Sequence, residues 1–327
     1  MTTIPDSQLY AHSKRLHGKV VLITGGAAGI GRETALQYAR SKAKLVLGDL
    51  NEPGLQNVVS EIRKAGGEAI GLRCDVTSWD DQLKLFEAAI EAYHSVDIVV
   101  ANAGVNEIGS FWKPKLENGK PVKPSTETVD INLVGTIYTA HLALHYLDVN
   151  RTPECPLKSI VLLGSMASWQ ASAQGVVYSA SKHAVLGLAR AMYAPLSARG
   201  IRMAVVHPFF TDTGLMTTMN RIAVAGIPLL PIERVAGTII FSSTDPDIAS
   251  TGAVWLLPDD GPLLRLEKEI VKGGVYDVIA ERNRKFIWTV TRLRIAADLL
   301  RTLWPKIACG VVSAVAAGTL IYVGSGS

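Results

Sequence analysis

Tyr178 and Lys182 stand four residues apart in Tyr178-Ser179-Ala180-Ser181-Lys182, at the head of a helical pattern that continues to Arg199. Side chains at that spacing share one helix face, so a phenol and an ammonium can point together into one cleft. A phenol with its ordinary pKa of about 10 is a poor base at neutral pH, but a cation within about 4–6 Å lowers it by roughly one to three units. Lys182 is expected to be that cation. Thirteen residues before Tyr178, the apolar run Ser159 to Leu163 ends in Gly164-Ser165, where a hydroxyl can aim a hydrogen bond at an oxygen on which charge develops. Taken singly, each residue has a plainer reading: a tyrosine on an amphipathic helix, a solvated lysine, a serine in a turn. Together they suit proton exchange at a hydroxyl or carbonyl oxygen.

A second cluster lies nearer the N-terminus. The apolar run Val20 to Ile23 leads into Thr24-Gly25-Gly26-Ala27-Ala28-Gly29-Ile30-Gly31, and a helical pattern follows from Arg32. In that setting Gly25 serves the tight turn, Gly29 the close approach of backbone to a pyrophosphate, and Gly31 the packing of the helix, whose N-terminus at Ile30 faces the phosphates. Eighteen residues past Gly31 a second apolar run ends in Gly48-Asp49. A carboxylate there accepts hydrogen bonds from the ribose hydroxyls of the adenosine half and would repel a 2′-phosphate, so NAD is expected rather than NADP. Arg32 leaves a phosphate contact open.

The elements that must position these groups are legible as short aliphatic runs alternating with helix-length segments. The runs are Val20 to Ile23, Leu45 to Leu47, Ala69 to Leu72, Ile98 to Val100, Ile160 to Leu163, Met203 to Val206 and Val254 to Leu257. Near-continuous apolar strands joined by helices predict an α/β fold, a Rossmann-type doubly wound sheet of seven parallel strands, here followed by a C-terminal helical extension. The expected organisation is an N-terminal arm (1–16), the Rossmann domain (17–262), a basic amphipathic helical extension (263–306) and an apolar segment (307–327). Residues 111–125, FWKPKLENGKPVKPS, read as a solvated loop. Residues 214–230, apolar and irregular, read either as a lid over a lipophilic pocket or as an ordinary buried helix. Beyond Gly261 no further strand is expected.

In combination these motifs resemble the classical short-chain dehydrogenase/reductase family over roughly residues 17–262: TGGAAGIG, Asp49, Cys74-Asp75-Val76, Asn102-Ala103-Gly104, Asn132, Ser165 and YSASK, in that order. The resemblance implies that Asp75, with Val76 beside it, contacts the adenine, and that Asn102, Ala103 and Gly104 shape the central strand next to the cofactor. It implies that Asn132 holds a water in a proton relay, Ser165 polarises the substrate oxygen, Tyr178 exchanges its proton, and Lys182 both acidifies Tyr178 and binds the nicotinamide ribose. Thr213 matches the family's threonine near the carboxamide, with Pro208 and Thr211 as further cofactor contacts. One departure stands out: Phe209 follows Pro208 where the family places a glycine, which puts the local backbone in question. More loosely, the chain is similar to 15-hydroxyprostaglandin dehydrogenase-like enzymes and to fungal hydroxyaverantin dehydrogenases, which act on secondary alcohols of lipophilic molecules. The family also implies a homo-oligomer.

Composition narrows the alternatives. Charged residues at 19% and hydrophobic residues at 48% describe a globular chain. The net charge of +4 is unevenly placed: residues 282–306 carry seven bases against one acid and residues 307–327 carry no charge, which leaves residues 1–281 at −2. A nucleic-acid partner, which needs a basic face, is therefore not expected. Cys74, Cys155 and Cys309 lack metal-ligand spacing, so no metal is expected and the thiols read as reduced, in a cytoplasmic setting. The uncharged stretch 307–324, behind a basic flank with Trp288 and Trp304, reads either as an anchor entering a membrane from its cytoplasmic face or as a helix packed at a subunit interface. Three functions are carried forward: an NAD-dependent dehydrogenase of lipophilic secondary alcohols, an NADPH-dependent ketoreductase, and a non-catalytic dinucleotide-binding scaffold.

Overall fold

The computed structural model describes residues 1–266, apart from 153–156, 174, 217, 248, 249 and 260, together with scattered residues between 281 and 300. In chain order the strands are β1 (Thr2–Ile4), β2 (Val20–Thr24), β3 (Lys44–Asp49), β4 (Glu68–Arg73), β5 (Ile98–Ala101), β6 (Leu116–Glu117), β7 (Lys120–Pro121), β8 (Ser159–Leu163), β9 (Arg202–Pro208), β10 (Val254–Leu257) and β11 (Leu263–Leu266). The helices are α1 (Gly29–Arg40), α2 (Glu52–Lys64), α3 (Trp79–Tyr93), α4 (Glu127–Val129), α5 (Gly135–Tyr146), α6 (Val176–Ala198), α7 (Thr218–Ala223) and α8 (Ile232–Thr244), with a π-helical turn, Asp130–Val134, joining α4 to α5.

The seven expected strands form a parallel sheet in the order β4-β3-β2-β5-β8-β9-β10. Strand order reverses between β2 and β5, and in open α/β sheets ligands bind in the crevice that this reversal opens at the carboxyl ends of the strands. Each central strand feeds both faces. Val21 and Ile23 join the core under α1, α2 and α8, while Val20 and Leu22 join the core under α3, α5 and α6. Such double burial explains why the strands read as unbroken aliphatic runs rather than as alternating ones.

Two strands beyond the expected seven extend the sheet. The expectation of no strand after Gly261 is corrected: β11 pairs antiparallel with β10, Val254 opposite Leu266, and β1 from the N-terminal arm pairs antiparallel with β11, Ile4 opposite Leu263. Leu263, Ile4, Leu9 and Leu16 are buried, so the arm closes an edge that would otherwise expose unpaired backbone. A four-residue run beside polar neighbours is too short to announce itself as a strand. The compact unit spans Met1–Ile270. Residues 111–125 hold an exposed two-stranded hairpin, β6 with β7.

Helix ends follow local chemistry. Asn51 caps α2 by accepting the Gly54 N–H at 3.1 Å, and Ser78 caps α3 by accepting the Asp81 N–H at 3.2 Å. At the amino ends of β2, β5 and β8, Lys158 and Asp97 form a buried ion pair, Nζ to Oδ1 at 3.0 Å. The ammonium also donates to the Val96 carbonyl at 2.7 Å, and the second carboxylate oxygen accepts the Val20 N–H at 2.9 Å. One pair thus pins all three strands that flank the reversal.

In the second unit, Val271–Ser327, the described residues between 281 and 300 are helical. The Arg292 guanidinium lies 3.7 Å from the Trp288 ring centroid. No helix among the described residues is long and apolar enough to cross a membrane; the segment 307–324 lies outside them.

Removing one partner of a buried, hydrogen-bonded ion pair leaves an uncompensated charge, at a cost of about 3–5 kcal/mol. Lys158→Met is expected to lower the unfolding free energy by about that amount in urea titrations, whereas Lys44→Met, whose partner Glu68 is on the surface at 3.2 Å, should change it by less than about 1 kcal/mol.

Candidate active site

The turn between β2 and α1 is built by backbone that only glycine tolerates. Gly25 has φ of +72° and Gly29 +55°, in the left-handed region that side chains disfavour. A Cβ on Gly31 would lie 2.0 Å from the Gly25 carbonyl oxygen and 2.5 Å from Asn102 Nδ2. Asn102, immediately after β5, donates that amide to the carbonyls of Thr24 and Gly25, both at 3.0 Å. The Thr24 hydroxyl in turn accepts the N–H groups of Asn102 and Ala103 at 3.2 and 3.3 Å. The strand reversal is therefore stitched from both sides, and Ile30 packs against the core beneath it.

Asp49, at the end of β3, accepts the Ala27 N–H on Oδ2 at 2.9 Å and the Asn51 N–H on Oδ1 at 2.8 Å. Its carboxylate is fixed beside the glycine turn with lone pairs left over. Arg32 is drawn to Glu61 at 2.7 Å. Asp75 accepts the Thr77 N–H and hydroxyl on Oδ1 at 2.9 and 2.8 Å, and Val76 is buried against Gly135, where a Cβ would meet it at 2.8 Å. Across the turn, Thr213 stands 3.6 Å from the position of a Cβ on Gly29. Beside Gly29 and Thr213, and not lined by Asp49 or Asp75, opens a cavity of about 520 Å³ whose other lining residues are Arg32, Glu33, Asp212, Gly214, Arg221, Ile232 and Glu233. Glycines that a side chain would block, a helix N-terminus and a fixed carboxylate fit a nucleotide carrying phosphates and free ribose hydroxyls.

The Phe209 question resolves simply. Its N–H continues the ladder to Leu257 O at 2.8 Å, and its φ is not positive, so glycine's freedom is not needed there. Pro208 closes β9 opposite Leu257, and Thr211 is buried with its hydroxyl on the Phe209 carbonyl at 3.2 Å. Residues 214–230 do not form a buried helix: α7 is short, and Leu215, Ile222 and Ile227 are 47%, 64% and 49% exposed.

The second cluster converges as expected from the spacing. Tyr178 and Lys182 lie on one face of α6, with Lys182 Nζ 5.9 Å from the phenol ring centroid. Ser165, after β8, stands near enough to the Tyr178 side chain for its hydroxyl to draw the phenol's pKa down, and it accepts the Ala167 N–H at 3.1 Å. Lys182 is buried and donates to the Leu163 carbonyl at 3.0 Å, and Gly104 lies beside it, a Cβ there standing 3.6 Å from Nζ. Asn132, fully buried within the π-helical turn, exchanges two hydrogen bonds with the Val105 backbone at 2.8 and 2.9 Å and donates to Ser181 Oγ at 3.1 Å. Its side-chain amide is thus committed, and its backbone carbonyl accepts the Thr136 hydroxyl at 2.8 Å.

One expectation is corrected. Tyr178 titrates above its ordinary value, because burial outweighs the lowering from the Ser165 hydrogen bond, and the nearby ammonium does not reverse this. Burial acts on Lys182 as well, pushing its pKa down to about 8 while the ammonium donates to the Leu163 carbonyl.

Two residues that the sequence reading missed complete the cluster. His207 Nδ1 lies 3.2 Å from the Ser165 nitrogen and 2.8 Å from its oxygen; burial holds its pKa down at about 4, so it stays neutral. A Cβ on Gly164 would lie 2.4 Å from that ring, so the glycine before Ser165 was the available signal. Glu107 accepts the N–H groups of Val177 and Tyr178 at 3.2 and 2.7 Å, a contact that sequence spacing does not announce.

The profile of the short chain dehydrogenase family matches residues 19–222, and the chain belongs to that family of nicotinamide-dinucleotide oxidoreductases. It is 33% identical over 236 residues to the 5′-hydroxyaverantin dehydrogenase of Dothistroma septosporum, covering 68% of this chain and 76% of the relative. Among solved structures it resembles the 3-ketoacyl-(acyl-carrier-protein) reductase of Brucella melitensis complexed with NADH, with TM-score 0.65, 27% identity and coverage of 75% of this chain and 98% of that one. It equally resembles a short chain dehydrogenase of Burkholderia cenocepacia in complex with NADP, with TM-score 0.65, 26% identity and coverage of 76% and 98%.

The glycine turn makes a direct prediction. Gly31→Ala overpacks it by about 1–3 kcal/mol or more, so NADH binding, followed by nucleotide fluorescence, should weaken about tenfold or more while circular dichroism keeps the helix and sheet signal.

Proposed function

We propose that this protein oxidises a secondary alcohol on a lipophilic small molecule to the ketone, using NAD. The observation that carries the reading is the convergence of Tyr178 and Lys182 on one face of α6, Nζ 5.9 Å from the phenol ring centroid, beside Ser165 at the carboxyl end of β8. Bound NAD supplies the hydride acceptor. Ser165 orients the substrate hydroxyl and stabilises charge on its oxygen. Tyr178 takes the hydroxyl proton as the carbinol carbon passes its hydride to NAD, the phenol's own proton having left through the relay at Asn132 to solvent. Lys182 holds a positive charge next to the phenol and would bind the nicotinamide ribose, and Asn132 would hold a water in the proton relay.

The preference for NAD rests on Asp49, whose fixed carboxylate suits ribose hydroxyls and opposes a 2′-phosphate, and on Arg32 being engaged by Glu61. The lipophilic substrate class is supported by exposed Leu215, Ile222 and Ile227 around α7 and by similarity to a hydroxyaverantin dehydrogenase. A ketoreductase using NADPH is the second reading, favoured by similarity to a protein in complex with NADP. A homo-oligomer in cytoplasm is part of the proposal, with light scattering of the purified chain as its check.

For the tail, the reading is association with an anionic membrane surface. Phe286, Leu293 and Leu300 are 69%, 65% and 62% exposed within a stretch that carries Arg282, Lys285, Arg292 and Arg294; such a mixture favours the interface of a negatively charged bilayer. The full chain should co-sediment with phosphatidylserine vesicles in a salt-sensitive manner, and a chain ending at residue 280 should stay in the supernatant. Equal sedimentation of the two would remove the tail from the account.

With sec-phenethyl alcohol and menthol as probes, NAD reduction by the wild type is expected at 340 nm. Tyr178→Phe should lower kcat by about 100-fold or more with unchanged NADH affinity. A Tyr178→Phe variant with full turnover would refute the assignment of the proton acceptor.

A further inference from the structure

Helix α6 carries both Tyr178 and Lys182, yet its own segment does not cap it: Gly175 stands at the N-cap and offers no side chain. The first N–H groups of a helix have no acceptor within it. Here two of them are satisfied from a residue 71 positions away, as Glu107 accepts the Tyr178 N–H at 2.7 Å with one carboxylate oxygen and the Val177 N–H at 3.2 Å with the other. A carboxylate at that end also complements the positive pole of the helix.

Glu107 is itself held. Val105 is locked to Asn132 by two hydrogen bonds, Ile108 donates to the Thr128 hydroxyl at 3.0 Å, and Asn106 donates to the Leu215 carbonyl at 3.2 Å. The segment that leaves the dinucleotide site at Gly104 therefore grips the backbone of Tyr178 three residues later, and touches the apolar 214–230 segment on the way.

We propose that Glu107 is a positioning residue, which sets the Tyr178 backbone so that its phenol meets Ser165. The proposal rests on the role given to Tyr178 above. Its geometry asks for two acceptor oxygens at the reach of a glutamate; glutamine keeps one of them at the same reach, and alanine keeps neither.

The primary test needs no substrate. In protein labelled at tyrosine Cζ, the Tyr178 signal is assigned by its loss in Tyr178→Phe and titrated by NMR. Glu107→Ala is expected to titrate at higher pH than wild type, since a phenol displaced from Ser165 within the same buried site loses the hydroxyl's lowering effect, and Glu107→Gln should fall between the two. In turnover of sec-phenethyl alcohol, Glu107→Ala should lower kcat about 10- to 100-fold, as expected for a misplacement near 1 Å, with the acid limb of the pH profile moved to higher pH. A purely structural cap would lower the melting temperature and leave both the titration and the pH profile where they were, and that result overturns the proposal. If Glu107→Ala does not fold, Glu107→Gln alone decides: a wild-type Tyr178 titration overturns the proposal and a raised one supports it. Full activity in Tyr178→Phe would instead overturn the functional reading, whatever Glu107 does.

Discussion

The side-chain amide of Asn102 bonds the carbonyls of Thr24 and Gly25, and the rest of the site depends on that bridge. It spans the place where the strand order reverses, so it joins two halves of the sheet whose connections run in opposite directions. Its presence also dictates sequence on both sides. A side chain at Gly25 or Gly31 would lie 2.8 or 2.5 Å from that amide nitrogen, and so the turn that receives phosphates is glycine because the amide already fills the space. The ion pair of Lys158 with Asp97 performs the matching task at the other end of the same strands. Between them, β2 and β5 are fixed at both ends and β8 at its start, and the groups that follow these strands in sequence, Gly25, Asn102 and Ser165, are delivered to one rim.

At that rim the chemistry is bought with burial. Lys182 is 6% exposed and Asn132 is fully buried, and each has backbone partners that replace water. Burial pulls the two titrating groups toward their neutral forms, raising the Tyr178 phenol and depressing the Lys182 ammonium. Around them stand contacts of fixed direction: the Leu163 carbonyl on the ammonium, a neutral His207 behind Ser165, and Glu107 on the backbone of Tyr178. The π-helical turn at Asn132 lies beside them, a departure from regular helix geometry of the kind frequent at functional sites.

Much of this was legible in the sequence, and the reasons are physical. Strands buried on both faces must be aliphatic throughout, so all seven parallel strands are visible as runs; a tight phosphate turn must be glycine; a shared helix face must repeat at four residues. What escaped is what those rules do not reach. Strand β1, at the sheet edge, has three residues and β11 beside it four, patterns too short to read. Glu107 acts across 71 positions through backbone N–H groups that any residue would offer. His207 lies inside a strand, where its polar ring is matched only by the missing side chain of Gly164. The shift of Tyr178 went the other way from the reading of spacing because spacing gives neighbours and not burial.

The claim at the centre of this account is that the rim holds a dinucleotide with free ribose hydroxyls against Asp49. Parallel fluorescence titrations of the full chain with NADH and NADPH test it without knowledge of the substrate. The account predicts saturable binding of both with NADH clearly tighter. Tighter NADPH binding would contradict the role given to Asp49 and promote the reductase reading, and binding of neither would contradict the site itself.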